Sequence, residues 1–328
     1  MPDAAGPTTG TRFTLRQLEY LIGVANAGTI SAAAATLHVS PTAVASALDE
    51  LERALGGAPL LVRRRARGVT LTPSGRDAVQ RARRVVAEAQ ELALAYRSEG
   101  AELRGPLALG CYTTLAPALG PPLLQAFTEA HPLVELSFVA GSQRDLQAAL
   151  LAGRLDLALV YAMDLSDRLA QRRLFEAAPY VLLPPGHRLA DRPTVELRDL
   201  AQDPLVFLDV HPSGEHTMAL FETAGVTPRI RYRTPDFELT RSLVGRGLGY
   251  AVLVQRPSRA VTYEGLAVLE REIGPATRRV GVVMAWADAT PPSPRAQAFV
   301  DLAAETLRRP APGEALTRTA AAPRGRDG

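Results

Sequence analysis

Apolar residues recur at three- and four-residue steps through Leu15, Leu18, Leu21, Ile22 and Ala25, which predicts an amphipathic helix over residues 14–26, ended at Ala27-Gly28. Ser31 has N-cap chemistry for a second short helix, whose alanines permit close approach of another backbone. After the turn His38-Val39-Ser40, Ser40 caps a third helix. Pro41 suits its first position, because the proline's missing N–H would be unpaired there anyway. Val44, Ala47, Leu48, Leu51 and Leu55 form its inward stripe, Thr42, Ala45, Ser46 and Asp49 its outward face, and Gly56-Gly57 its stop. Residues 60–64 and 69–72 alternate as two strands about the turn Ala66-Arg67-Gly68. Thr72-Pro73 then begins a helix reaching about residue 97. Along it Val79, Ala82, Val86, Ala89, Ala93 and Tyr96 are spaced three and four apart in alternation, a heptad seam expected to pack against a second copy of the chain.

From residue 105 the pattern changes to strands alternating with helices. Strands are expected at 107–111, 134–139 and 155–161, with helices at 117–130 and 143–152 between them. A second set follows, with strands at 179–183, 205–209, 229–233 and 250–253 and helices at 213–224 and 236–244. The segments 266–271, 280–286 and the helix 294–307 are expected to rejoin the first set. The fold class is therefore α/β on a mainly parallel sheet. Lobe I takes residues 105–162 and 266–307, lobe II residues 163–265, and two crossovers leave a cleft between them. Ahead of the lobes stand a winged helix-turn-helix over 13–72 and a linker and dimerisation helix over 73–100.

Composition sharpens this division. The chain has 328 residues, 47% of them hydrophobic, and a formal net charge of +3. The first hundred residues hold 12 arginines against nine acids, while residues 101–307 hold 20 against 23. A nucleic-acid surface is thus expected in the N-terminal part alone. Every Lys-or-Arg cation is arginine, which a GC-rich genome accounts for without any functional reason. No apolar run reaches membrane-spanning length, and residues 1–11 lack a charged start before an apolar core, so the expected location is the cytoplasm, with no membrane partner. Residues 1–12 and 308–328 are expected to be disordered. Cys111 is the only cysteine, which excludes an intrachain disulfide switch and favours a buried structural thiol.

The N-terminal layout places the third helix in a DNA major groove, with Ser40, Pro41, Thr42, Ala45 and Ser46 near base edges. Arg63, Arg64, Arg65 and Arg67 on the wing would lie against phosphates; directly behind a helix-turn-helix, that reading outweighs a solvated charge run. His38 reads as polar cover. An enzyme reading finds little support. His211 and His216 are five residues apart and do not share a helical face, despite Glu215 between them. Gly245, Gly247 and Gly249 follow a helix and not a strand, and no serine occupies a G-x-S-x-G elbow. No cofactor or metal is expected. The alternative kept open is a small-molecule-binding α/β enzyme fused to a DNA-binding domain.

Several stretches resemble the LysR-type transcriptional regulators. They are Leu15-Arg16-Gln17-Leu18 with Tyr20, Ala33-Ala34, Leu37-His38-Val39-Ser40, Leu51-Glu52-Arg53 with Leu55-Gly56, and Leu71-Thr72-Pro73-Ser74-Gly75. The likeness continues through Gly153-Arg154-Leu155-Asp156-Leu157-Ala158, Pro184-Pro185-Gly186-His187-Arg188-Leu189 and Gly247-Leu248-Gly249-Tyr250-Ala251-Val252. Where many members carry a serine-arginine pair in the recognition helix, this chain has Ala45-Ser46. The resemblance implies a periplasmic-binding-protein-like domain with a small-molecule effector between its lobes, at Thr113, Thr114 and Ser213. Hydroxyls and helix N-termini there favour an anion, although each threonine could equally be a helix cap. It also implies double-stranded DNA as partner, a homodimer or dimer of dimers, and RNA polymerase as a further partner.

Overall fold

The computed structural model describes residues 12–64, 68–97, 102–257, 259–289 and 291–307. The two expected disordered ends, Arg65 and Arg67, and the side chains of Arg63, Arg64 and Tyr96 lie outside what is described, except for Arg12 at the edge of the first segment. The chain divides into two units, 1–101 and 102–328.

In the first unit three helices, α1 (Leu15–Ala27), α2 (Ile30–Thr36) and α3 (Pro41–Ala54), precede the antiparallel wing β1 (Leu61–Arg64) and β2 (Gly68–Leu71) and the long α4 (Pro73–Arg97). Each start has a local cause. Thr14 and Gln17 form a reciprocal capping box on α1, and Gly28, at φ 69°, ends it. The cap of α2 is Thr29, which accepts the Ala32 N–H at 3.1 Å, and not the expected Ser31, which lies inside the helix. Leu18, Leu21, Val24, Ala33, Ala34, Val44, Leu48 and Leu51 make the core. Leu15 and Leu55, expected on inward faces, are exposed, because each sits at a helix end past the edge of that core.

Two of the stretches that carry the resemblance act as structural joints. Glu52 Oε1 accepts the N–H groups of Leu60 and Leu61 at 2.7 and 3.3 Å, tying α3 to the wing. Thr72 Oγ1 accepts the Gly75 N–H at 2.9 Å, and a Cβ on Gly75 would lie 1.9 Å from the Leu60 carbonyl oxygen, so only glycine fits this corner.

The seam assigned to α4 needs correction. Val79 and Ala82 are buried in the same core cluster as α1, along which α4 packs, and Val86 packs against that cluster. The hydrophobic face of α1 supplies the partner that a second subunit was expected to provide. Among the described side chains of α4, the large apolar ones left exposed are instead Val85 and Leu92; Ala87 and Ala93 are exposed as well, and Ala89 is half-buried.

The second unit has two lobes. Lobe I carries the five-stranded sheet β4-β3-β5-β13-β6, built from β3 (Gly105–Tyr112), β4 (Val134–Gly141), β5 (Leu157–Tyr161), β6 (Leu169–Ala177) and β13 (Val280–Ala287). Strands β4, β3 and β5 are parallel, while β13 runs antiparallel between β5 and β6. Helices α5 (Ala116–Ala130), α6 (Gln143–Leu151) and α9 (Pro294–Thr306) accompany it. Lobe II holds the four-stranded sheet β11-β7-β12-β8, from β7 (Tyr180–Leu183), β8 (Thr194–Glu196), β11 (Ala251–Leu253) and β12 (Leu269–Gly274). Beside it lie the parallel pair β9 (Pro204–Leu208) and β10 (Arg229–Thr234), joined through a Leu205–Tyr250 bridge, and helices α7 (Ser213–Thr223) and α8 (Phe237–Gly245).

Two boundaries therefore move. The segment expected at 266–271 is β12, which pairs with β7 and β8 in lobe II instead of rejoining lobe I. Strand β6 has no counterpart among the expected strands, since its Gln171-Arg172-Arg173 edge shows no apolar run, and it extends lobe I through residue 177. Nor is lobe II mainly parallel, because β7 pairs antiparallel with both its neighbours.

Candidate nucleic-acid interface and inter-lobe cleft

Helix α3 is turned by its core residues. Burying Val44, Leu48 and Leu51 leaves Thr42, Ser46 and Asp49 exposed and Ala45 half-buried on the far side. Ser40 Oγ accepts the Ala43 N–H at 3.1 Å, so capping is the work of Ser40, with Pro41 in the first turn. The exposed face is small and polar, the surface that close approach to base edges requires. Arg63 and Arg64 stand in β1, and a Cβ on Gly68 would come within 2.6 Å of the Gly28 carbonyl, fixing the wing against the α1–α2 turn. The Val69 N–H donates to that same carbonyl at 2.8 Å. After the wing, Arg81 pairs with Asp77 and Arg83 donates to Asn26, so these two arginines brace the unit itself.

In the second unit the C-terminal ends of β3 and β5 meet lobe II, where ligands of open α/β sheets bind. Thr113 is exposed, Thr114 is buried, and Thr114 Oγ1 has no hydrogen-bond partner. Neither threonine caps α5: that helix begins at Ala116, and its N-cap, Leu115, offers no side-chain bond. Ser213 opens α7 and is buried, its Oγ 3.0 Å from Tyr112 Oη across the cleft. Helix α7 also lacks a side-chain cap. By contrast α1, α2, α3, α6, α8 and α9 each begin with a side-chain bond from a Ser, Thr or Asp. The Tyr112–Ser213 bond thus ties the end of β3, just ahead of α5, to the start of α7, and the N-cap residues of both helices, Leu115 and Pro212, make no side-chain bond.

Several further residues belong to this site. Tyr112 and Tyr161 stack edge to face, centroids 5.5 Å apart, and Tyr161 Oη is buried without a hydrogen-bond partner. Burial pushes the Tyr112 phenol up to about 12 against the opposing effect of Ser213, and burial raises Tyr161 further, although the nearby Thr114 hydroxyl acts the other way. Both phenols are thus held in the protonated form. Gln143, fully buried, donates to the Tyr161 and Met163 carbonyls and accepts the Tyr161 N–H, which fixes the end of β5. Sequence reasoning missed all three; a position at the carboxyl end of a strand was the one signal that could have found Tyr112 and Tyr161.

The histidines separate. His211 touches Asp164 and Glu215, whereas His216 Nε2 is buried without a partner, and burial lowers the His216 pKa. Among the described residues no three His, Cys, Asp or Glu side chains group as a metal site, and no helix is long and apolar enough to cross a membrane.

Two family models match the chain. One, described as a bacterial regulatory helix-turn-helix protein of the lysR family, covers residues 15–76; the other, a LysR substrate binding domain, covers residues 100–308. The HTH-type transcriptional regulator TtuA of Agrobacterium vitis is 29% identical over 280 residues, spanning 84% of this chain and 91% of that protein. The hydrogen peroxide-inducible genes activator of Dickeya chrysanthemi is 30% identical over 251 residues, 76% of this chain and 81% of its own. A solved C-terminal domain of a probable LysR family transcriptional regulator from Rhodococcus sp. RHA1 superposes with a TM-score of 0.60 at 42% identity, covering 61% of this chain and 99% of that one.

Proposed function

The chain belongs to the LysR family of bacterial transcription regulators, and on that premise we propose which of its residues read DNA, hold the effector and join subunits. It is a DNA-binding regulator with an effector-binding domain, as its relatives are, and not an enzyme. The α/β enzyme alternative falls with that assignment.

Thr42 and Ser46 read base edges, with Ala45 between them and Ser40 and Pro41 setting the start of the helix; the exposed polar face of α3 supports this. Arg63, Arg64, Arg65 and Arg67 contact phosphate. The effector lies between the lobes, where Thr113, Thr114 and Ser213 meet an anionic group. The observation that carries this reading is the buried Thr114 hydroxyl, which lies beside the Tyr161 phenol but makes no hydrogen bond of normal geometry. An anion there would meet the Thr113, Thr114 and Ser213 hydroxyls at the positive end of two helix dipoles.

Subunits pair through the stripe of exposed Val85, Leu92 and Ala93 with half-buried Ala89 among them, as a homodimer or dimer of dimers. RNA polymerase as partner and a cytoplasmic location follow from the regulator assignment. A thermal-shift screen of the full chain against small carboxylates tests the effector reading, because a ligand that binds only the folded state raises Tm. If carboxylates never shift Tm while uncharged ligands do, the anionic class is wrong.

A further inference from the structure

His211 lies in lobe II, on the loop between β9 and α7, and each of its ring nitrogens meets a carboxylate. Nε2 is 2.9 Å from Asp164 Oδ2, which belongs to lobe I, and Nδ1 is 3.0 Å from Glu215 Oε1 on α7. An ionised carboxylate only accepts hydrogen bonds, and a neutral imidazole has a single N–H to give. Both contacts are therefore complete only when the ring carries two protons.

We propose that His211 is a positioning residue that works as a proton-operated clasp, closing the cleft when doubly protonated and freeing the Asp164 arm on losing one proton. The arm released is the one to Asp164, because His211 and Glu215 ride together on one lobe while Asp164 stays with the other. Asp164 is well fixed there. Its carbonyl accepts from Gln147 Nε2 of α6 at 2.9 Å, and its φ of 49° holds the connection after β5 in a tight left-handed turn.

The charged and titratable groups facing the clasp come from four elements. They are Asp164 after β5, Glu215 on α7, Arg144 on α6 and Tyr112 on β3, the last two acting through Glu215. Burial raises the Glu215 carboxyl, but the His211 hydrogen bond, its own backbone N–H and the charges of His211 and Arg144 together hold it below the usual range. The Glu215 carboxylate is thereby kept as an acceptor for the ring. The neighbouring Tyr112–Ser213 bond also spans the lobes, and burial pushes its phenol up to about 12. With Asp164 and Glu215 side chains 72% and 67% exposed, the clasp is a weak link, suited to a switch and not to a lock.

The clasp concerns the same cleft as the effector reading but stands without any effector, so its test is made on the full chain alone. Hydrogen exchange of residues 161–166 and 209–217 is followed by mass spectrometry over a pH series, corrected for intrinsic exchange, while NMR follows the His211 ring. Protection in both segments should fall about two- to fivefold as the ring loses its proton, the span expected of an exposed ion pair. The fall should track His211 and not His216. In Asp164→Asn, whose asparagine tolerates the left-handed turn and leaves the His211 loop untouched, protection should no longer depend on pH; His211→Gln should behave alike. The proposal is overturned if wild-type protection is flat across the His211 titration, if only 209–217 responds, or if Asp164→Asn keeps the full pH dependence. A carboxylate screen without hits would sink the anionic effector and leave these outcomes unchanged.

Discussion

A buried hydroxyl without a partner costs about 1–3 kcal/mol, and Thr114, with only the equally buried Tyr161 phenol beside it, adds little to the effector-free fold. Thr114→Val should therefore leave Tm unchanged or raise it, while weakening binding of an anionic effector about tenfold or more, the worth of a buried hydrogen bond to a charged group. Calorimetric titration beside a melting curve separates the two. A variant that loses stability together with effector affinity would make Thr114 part of the packing. Cys111 makes the opposite case. Burial raises its thiol to about 12, so the group is protonated and shielded at neutral pH. Although relatives include hydrogen peroxide-inducible genes activators, peroxide should leave DNA affinity unchanged here, and native protein should react with a thiol reagent only on unfolding. Modification at the rate of a free thiol, or a peroxide-dependent shift in DNA binding, would refute that. Residue chemistry was legible in the sequence where it is local: Ser40 announces its cap within three positions. Tyr112 and Ser213, 101 positions apart, share no period, and helical spacing hides the role of His211 because its partner Asp164 comes from another lobe.

Elements were more readable than their partners. The 3.6-residue rhythm placed α1, α3 and α4 to within a residue or two, since a face that must be buried writes itself into the spacing. That spacing says a stripe is buried, not against what. On α4 the heptad-like run resolves into two neighbouring stripes, Val79, Ala82 and Val86 inward on α1, and Val85, Ala89 and Leu92 left for another surface. Strand β6 is hidden from the apolar pattern because it lies at the sheet edge with alternate residues in solvent, and β12 was misplaced because pairing across a crossover leaves no mark on spacing. The two stripes of α4 make separable predictions. Val79→Ala should cost the first unit about 2 kcal/mol, as reduced burial plus a cavity, with the sedimentation profile unchanged. Leu92→Glu should leave the melting of that unit in place and shift sedimentation toward smaller species, because like charges would face each other across the subunit seam. Should Val79→Ala dissociate the assembly and Leu92→Glu leave it intact, the stripes are assigned the wrong way round.

At the scale of the whole molecule, charge and chemistry are divided between the two units. The first unit holds the arginine excess and the exposed face of α3, whereas residues 101–307 carry slightly more acids than arginines. DNA affinity should accordingly take its salt dependence from the first unit. Arg64→Ala with Arg65→Ala should flatten the slope of log K against log salt by about 0.9 for each phosphate no longer neutralised, for specific and random duplexes alike. Thr42→Ala should instead lower discrimination at one base pair by about 1 kcal/mol and leave the slope unchanged. Regulation requires that these DNA terms respond to the cleft, and any such response is a coupling free energy that is the same in both directions. If an effector changes operator affinity by some factor, saturating operator must change effector affinity by that factor, whatever the arrangement of the units. The cleft variant puts this reciprocity to use. If Thr114 holds the ligand as proposed, Thr114→Val should move the effector titration to higher concentration yet reach the same final operator affinity. Anisotropy titrations of labelled operator against effector, for wild type and variant, decide it. A variant that reaches a different plateau would show that Thr114 sets the balance of states as well as the affinity, and the cleft would then have to be described as part of the switch.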